Sequence, residues 1–98
     1  MDLRIATWNV EYAAGAERNG RRLELLLEVD ADVHVLTETH DALSLPGYAA
    51  VSTRQQPGHN ARPGSRWTTI WSRVPIVCEL KTEDQVRTCA AELEGGVI

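Results

Sequence analysis

Two short polar clusters hold the side chains of this chain that could do chemistry. The first contributes Asn9 and Glu11, and the second contributes Glu38. A hard divalent cation such as Mg²⁺ takes oxygen ligands, and it is usually held by one or two protein carboxylates together with waters and substrate phosphates. One amide and two carboxylates therefore predict half of a divalent-metal site. The alternative is that these acidic residues only cap a loop or a helix at the end of a strand.

Both clusters follow runs of residues that are typical of β-strands. The first run is residues 3–8 and the second is residues 33–37, and the leucine spacing between them predicts a helix over 19–27 that Asn19 caps. A strand–helix–strand unit normally makes a right-handed crossover between parallel strands. We therefore expect both clusters at the carboxyl ends of neighbouring strands, where α/β folds bind ligands.

The rest of the chain is predicted to form strands. They are expected over 48–53 and 67–72, with an exposed loop over 54–66 between them, and a hairpin of 76–80 and 86–93 follows. The pattern as a whole indicates the α/β class.

Composition sets the broad class. The 98 residues make at most one small domain, and 43% hydrophobic and 24% charged residues are ordinary for a globular chain. The net charge of −4 argues against an electrostatic grip on nucleic acid by the chain as a whole. No apolar run is long enough for a membrane span, and the first residues lack the layout of a secretion signal, so a cytoplasmic location is expected.

The two cysteines leave two interpretations open. A hairpin that turns around Glu83 and Asp84 places Cys78 opposite Cys89, and a cross-strand disulfide would then be geometrically feasible. Reduced, half-buried thiols are favoured in a cytosolic protein. A redox-sensing module built on this pair is one of three hypotheses for function.

Three motifs stand in a recognisable order. They are residues 3–11 (Leu-Arg-Ile-Ala-Thr-Trp-Asn-Val-Glu), 30–39 (Asp-Ala-Asp-Val-His-Val-Leu-Thr-Glu-Thr) and 68–76 (Thr-Thr-Ile-Trp-Ser-Arg-Val-Pro-Ile). Together they resemble the endonuclease/exonuclease/phosphatase superfamily, whose members open with a strand ending in Trp-Asn or Tyr-Asn. A helix and a strand of the form Asp-hydrophobic-hydrophobic-x-Leu-Gln-Glu follow in that family. Here Thr37 replaces the glutamine, and Arg66-Trp67 replaces a glycine-containing start of the later strand.

The resemblance implies a fold. It is α/β, the amino-terminal half of a two-sheet β-sandwich flanked by helices, as in deoxyribonuclease-I-like proteins. The family's catalytic histidine and its aspartates lie beyond a point equivalent to Ile98. Val97 and Ile98 also look like the start of a further, unpaired strand. We therefore expect residues 1–98 to be part of one domain, truncated at the C-terminus and inactive alone.

The resemblance also implies roles for the two polar clusters. Glu38 matches the family's metal-binding glutamate, Asn9 the asparagine at the metal and the scissile phosphate, and Glu11 a secondary acidic contact. The implied activity is hydrolysis of a phosphodiester or phosphomonoester with Mg²⁺ or Mn²⁺, on a phosphate-ester substrate that includes nucleic acid among its candidates. Asn9 and Glu38 would be the catalytic residues of this chain.

Other residues have structural interpretations that we favour. His34 is expected to be packed, whereas His40 and His59 are expected in solvated loops. Arg54, Arg62 and Arg66 could contact phosphate, but a solvated loop is favoured for all three. Core packing is favoured over base stacking for the tryptophans, at positions 8, 67 and 71. The remaining hypothesis is a non-catalytic domain that pairs with a partner or a second copy through exposed strand edges.

Overall fold

The computed structural model describes residues 2–58 and 62–98, so His59 lies outside the described residues. Within them the chain forms seven strands and one helix, in the order β1 Ile5–Asn9, α1 Ala16–Val29, β2 Val33–His40, β3 Ala49–Ser52, β4 Ser65–Ser72, β5 Ile76–Leu80, β6 Ala90–Leu93 and β7 Gly96–Val97. The predicted α/β class is confirmed. None of the described helical residues forms a segment long and apolar enough to cross a membrane.

The strands form two sheets. The first has the order β1-β2-β4-β3, and the second has the order β5-β6-β7. β1 and β2 are parallel, as the strand–helix–strand pattern predicts, with Ile5 opposite Val33 and Asn9 opposite Thr37. All other neighbours are antiparallel. The carboxyl ends of β1 and β2 therefore meet at one edge of the first sheet.

Alternation along β2 gives the first sheet two buried faces. Leu36 belongs to the helix-side cluster, which joins one face of the sheet to α1. The buried members of this cluster are Val10, Leu26, Leu36, Leu43 and Leu45. Val33 belongs to a cluster that joins the other face to the second sheet, whose buried members are Val33, Val51, Ile70, Ala91 and Leu93. The layers are thus helix, sheet and sheet, and the first four residues of β2, which are covered on both faces, include three apolar side chains, those of Val33, Val35 and Leu36.

The helix begins earlier than predicted. Gly15, in an extended conformation, is the N-cap residue, and Asn19 lies in the first turns with its backbone N–H donating to the Gly15 carbonyl at 3.0 Å. The prediction that Asn19 caps the helix is therefore wrong. Its side chain is buried, without a hydrogen-bond partner among the described residues. Of the predicted leucine face, Leu26 is buried, whereas Leu27 is exposed.

The predicted hairpin register is also wrong. Asp84 organises a turn in which its Oδ1 accepts from the backbone N–H of Val86 and of Arg87 at 3.1 and 3.2 Å, so β6 begins only at Ala90. Cys78 then lies opposite Glu92. Because Cys89 precedes the strand, the disulfide and the redox module that depends on it lose their geometric basis.

Both cysteines are free thiols, and the interpretation as a half-buried thiol is confirmed for Cys89 alone. Cys78 is exposed rather than half-buried, and its thiol lies 3.4 Å from the Glu92 carboxylate. Burial raises the pKa of Cys89 to about 11. Cys89 is therefore a protonated, unreactive thiol near neutral pH.

The last residues are not unpaired, contrary to the expectation from sequence. β7 pairs with β6, with Glu92 opposite Val97. Ile98 and Ala91 exchange two backbone hydrogen bonds, at 2.8 and 2.9 Å. The outer edge of β7 is an edge of the second sheet.

Candidate metal and phosphate site

A row of three polar side chains crosses the first sheet where β1 ends. Asn9 lies opposite Thr37, and Thr37 lies opposite Thr68, so the row spans β1, β2 and β4. All three residues line one open cleft of about 530 Å³. The regular pairing of the strands therefore places three residues side by side, one with an amide side chain and two with hydroxyl side chains.

Glu38 follows this row and has an unusual backbone. Its φ of 51° is left-handed, a region that residues with a Cβ rarely adopt and that costs of order 1–3 kcal/mol. The bridges of β2 to β4 skip this residue, since Thr37 pairs with Thr68 and Thr39 pairs with Arg66. The left-handed backbone interrupts the alternation of the strand, and Glu38 lines the same cleft as Asn9.

The segment after β1 is fastened to the segment that carries Glu38. Val10 donates its backbone N–H to the Thr37 carbonyl at 3.0 Å, and Tyr12 donates to the Glu38 carbonyl at 2.6 Å. Val10 is fully buried against α1. Glu11 and Tyr12 both have left-handed φ values, of 56° and 53°. Three left-handed residues thus lie around one site, a concentration of strain that is typical of functional sites.

The Glu38 side chain is half-buried and has no hydrogen bond or ion pair within the described ranges. An unpaired carboxylate that is partly withdrawn from water favours a nearby cation. Asn9 Oδ1 accepts the backbone N–H of Glu11 at 3.0 Å, which orients the amide and leaves the oxygen one further lone pair. The oxygen donors of Glu38 and Asn9 therefore fit a divalent cation that keeps waters and phosphate oxygens as its other ligands.

Glu11 does not join them in the cleft. Its side chain is exposed, and it is absent from the residues that line the cleft, namely Asn9, Thr37, Glu38, Trp67, Thr68 and Arg87. Across residues 2–58 and 62–98, no three His, Cys, Asp or Glu side chains are grouped so that they could hold a metal by themselves. The structure thus brings together two of the three residues singled out from the sequence, and only one of those two is a carboxylate.

Arg87 is a cleft residue that no motif or spacing in the sequence indicates. It lies in the turn that Asp84 organises, and its carbonyl accepts the Thr68 hydroxyl at 3.2 Å, which ties the turn to β4. Its guanidinium is mostly exposed, with Nε 3.9 Å from the Asp84 carboxylate. A long contact of this kind on the surface is weak. The guanidinium is therefore available to an anion, and it suits phosphate oxygens.

Trp67 forms one wall of the cleft and is 38% exposed, so the core-packing interpretation is wrong for this residue. Trp8 and Trp71 are partly buried against the helix-side cluster, which confirms that interpretation for them. Tyr12 meets Trp67 edge to face, with ring centroids 6.2 Å apart. The Tyr12 hydroxyl in turn accepts a hydrogen bond from Gln56 Nε2 at 2.7 Å.

His40 is committed to a structural role away from the cleft. Its Nδ1 accepts the backbone N–H of Ala42 at 3.0 Å, and its Nε2 lies 2.8 Å from the Pro63 carbonyl. With Nδ1 accepting, the proton lies on Nε2 and is donated to Pro63. Neither nitrogen is free to take a proton from water at the site.

The loop arginines differ from one another. Arg66 makes a two-pronged contact with Asp41, at 2.6 and 3.1 Å, and donates to the Thr53 carbonyl at 2.8 Å. This hydrogen bonding to Arg66 lowers the pKa of Asp41. Arg54 and Arg62 are exposed, as the solvated interpretation predicts. Arg66 is therefore a structural residue of β4.

Comparison of the chain with protein-family models, with curated proteins and with solved structures gives no match.

Proposed function

We propose that the cleft at the end of β1 and β2 binds a divalent cation, Mg²⁺ or Mn²⁺, together with the phosphate of a phosphate ester. The observation that carries this proposal is the juxtaposition of the Asn9 amide and the unpaired Glu38 carboxylate at the ends of two parallel strands. The activity that follows is divalent-metal-dependent phosphoesterase chemistry. We further propose that the chain represents the amino-terminal half of a deoxyribonuclease-I-like sandwich, which the parallel β1–β2 pair, the outer helix and the two packed sheets support.

Each cleft residue has a role in this proposal. Glu38 is a metal ligand, Asn9 provides an amide to the cation or the phosphoryl oxygen, and Arg87 pairs with the remaining phosphate oxygens. A bound cation would polarise the phosphoryl group and stabilise the charge that develops on its oxygens. Glu11 lies next to the site and is a secondary contact at most through water. Its removal should therefore weaken cation binding less than removal of Glu38.

Apart from Glu38, which the proposal assigns to the cation, the lining residues of the cleft within the described part of the chain include no general base, since none is a histidine or an aspartate. A positioned side-chain base that activates the attacking water speeds hydrolysis by about 10²- to 10⁴-fold. We therefore expect this chain to bind the cation and the phosphate ester without turning the ester over at an appreciable rate.

A Mg²⁺ titration of thermal unfolding tests the cation site. At a Mg²⁺ concentration ten times the dissociation constant, binding to the folded state alone stabilises by about 1.4 kcal/mol. For a domain of this size the melting temperature should then rise by roughly 5–10 °C. Glu38→Gln removes the charge, keeps the shape of the side chain and should abolish the rise.

Glu24→Gln on the exposed surface of α1 is the matched control, because it removes the same charge away from the cleft. It should leave the Mg²⁺ response unchanged. The cation assignment is wrong if the native chain shows no shift, or if Glu38→Gln responds as strongly as the native chain.

A second candidate function rests on the exposed strand edges. β1 is an edge of the first sheet, and β5 and β7 are the edges of the second. Each carries an exposed apolar side chain, namely Ile5, Val77 and Val97. Apolar edge strands are templates for pairing with another chain. A non-catalytic domain that acts through strand pairing is therefore the alternative, and it is compatible with a cation site.

A further inference from the structure

We propose that Trp67 makes the cleft selective for phosphate esters that carry a planar aromatic ring, which identifies the substrate class as nucleotides rather than phosphorylated sugars or polyols. This inference rests on the proposed cation and phosphate site, because Trp67 lies in the wall of that same cleft. It adds a specificity-determining residue to that site.

The first step is the exposure of Trp67. Two of the three tryptophans pack against the helix-side cluster, whereas Trp67 leaves 38% of its surface in water next to charged groups. Contact of a large indole with water is unfavourable, so a ligand that covers it gains from burial. Trp67 lines the same cleft as Thr68 and Glu38, so a ligand that fills the cleft can contact Trp67 with its ring and the polar residues with its phosphate.

The second step is the way in which the ring is held. Trp67 sits in β4 between two bridged pairs, Thr37 with Thr68 and Thr39 with Arg66. Tyr12 supports the indole edge to face, with 68° between the ring planes. A ring fixed in advance loses little entropy when a ligand stacks on it.

Tyr12 is itself fixed at both ends. Its backbone N–H donates to the Glu38 carbonyl at 2.6 Å, and its hydroxyl accepts from Gln56 Nε2. Gln56 is anchored by its backbone N–H, which donates to the Ser65 carbonyl at 3.0 Å. Tyr12 therefore links the Trp67 indole to the Glu38 backbone, so the fold sets the spacing between the indole and the residue that carries the carboxylate.

The third step is the chemistry of the ligand. Every nucleobase has a π-face that stacks on an indole, whereas a sugar or an inositol ring has none. Arg87 and a cation at Glu38 would neutralise a phosphate in the same cleft. The net charge of −4 disfavours a long polyanion held along the whole chain. A nucleotide or a short single-stranded end fits these three conditions.

The test compares two ligands that differ only in the base. Adenosine 5′-monophosphate and ribose 5-phosphate carry the same phosphate and ribose, and their affinities for the full chain are measured by calorimetry at saturating Mg²⁺. Because stacking of one base on an aromatic side chain is worth about a 5- to 150-fold change in affinity, the nucleotide should bind tighter by a factor in that range.

Trp67→Leu should reduce the affinity for the nucleotide to that for ribose 5-phosphate and leave the sugar phosphate unaffected. Trp67→Phe keeps a stacking ring and should restore most of the preference. Equal affinity of the two ligands for the native chain, or an equal loss of both in Trp67→Leu, would overturn the ring preference while the phosphate site stands. If neither ligand binds the native chain, the proposed function fails together with this inference.

Discussion

His34 is a fully buried titratable residue at the second position of β2. Neither ring nitrogen has a hydrogen-bond partner within the described residues, and the ring lies tilted against Tyr48 with centroids 5.4 Å apart. Burial lowers the pKa of His34, and the positive charge of Arg73 lowers it further, whereas Asp30 opposes the shift. The expectation that His34 is packed is confirmed, and the residue is neutral in the folded protein near pH 7.

This environment makes stability depend on pH. Below about 6.5, the ordinary histidine pKa, the unfolded chain takes up a proton at His34 that the folded chain does not, so folding stability is lost as the pH falls toward the lowered pKa. The contribution of His34 to the free energy of unfolding changes by at most about 1.4 kcal/mol per pH unit. Urea unfolding should therefore have a lower midpoint at pH 5.5 than at pH 7.5. The pKa values of Asp32 and Asp41 are also lowered, but their contribution is lost only below about 3.8, outside this window.

His34→Phe should remove this part of the pH dependence. At pH 7.5 we expect this substitution to leave the free energy of unfolding almost unchanged, because an apolar ring replaces two buried nitrogens without partners. A native-like pH dependence in His34→Phe would show that another group is responsible.

The residues that line the cleft could be predicted from the sequence where their position depends only on where a strand ends. Asn9 and Glu38 were singled out because parallel strands end together, and they do line one cleft. Trp67 and Arg87 required tertiary information. Trp67 reads as a buried strand residue, and Arg87 reaches the cleft only through a turn. The left-handed backbone of Glu38 has no signature in its residue type, since glutamate rarely adopts it.

At the scale of elements, the turn before β4 is fixed by one glycine. Gly64 has a φ of 89°, and a Cβ at this position would lie 2.9 Å from both Cε1 and Nε2 of His40. The imidazole cannot easily move away, because the Ala42 N–H and the Pro63 carbonyl hold its two nitrogens. The turn and the end of β2 are therefore packed as a unit.

Gly64→Ala should lower the free energy of unfolding by about 2–5 kcal/mol, the sum of left-handed strain and overpacking. Gly47→Ala is the matched control, with a φ of 82° and no atom within 4 Å of the added Cβ, and it should cost only about 1–2 kcal/mol. Chemical denaturation measures both. The double variant Gly64→Ala with His40→Ala should lose less than the sum of its two single variants. Equal losses of unfolding free energy in Gly64→Ala and Gly47→Ala would rule out the contact with His40.

Helices and strands could be predicted from the sequence where the spacing of apolar residues determines the secondary structure. They were harder to predict where side chains form hydrogen bonds with the backbone and so compete with strand pairing. β1, α1 and β2 follow from apolar spacing, and their parallel pairing is confirmed. The predicted start of the second hairpin strand is wrong because Asp84 accepts hydrogen bonds from backbone N–H groups, and residues 84–88 form a turn instead of a strand. Such local bonds compete with strand pairing, and spacing alone does not reveal them.

At the scale of the whole molecule, coverage of the first sheet is uneven. Ile5 and Val33 lie opposite each other on the face that packs against the second sheet, yet Val33 is fully buried and Ile5 is 53% exposed. Val77 and Val97, on the two edge strands of the second sheet, are 61% and 63% exposed. Part of the apolar surface left open therefore lies at strand edges, where unpaired backbone groups are also available, and another part lies on α1.

This surface predicts concentration-dependent association of the native chain. Sedimentation velocity over a hundredfold range of concentration should show the average mass rising, because pairing of edge strands would satisfy backbone groups and bury these side chains together. Ile5→Lys places a charge on the edge strand β1 and should suppress the association. Leu27→Lys is the matched control, since Leu27 is exposed to a similar extent, at 45%, but lies on α1 outside the groove that α1 forms with β1. The strand-pairing alternative is wrong if the native chain stays monomeric throughout, or if Leu27→Lys suppresses association as strongly as Ile5→Lys. Because Ile5 is not among the cleft residues, Ile5→Lys should keep the Mg²⁺ response of the native chain, which separates the two proposed functions experimentally.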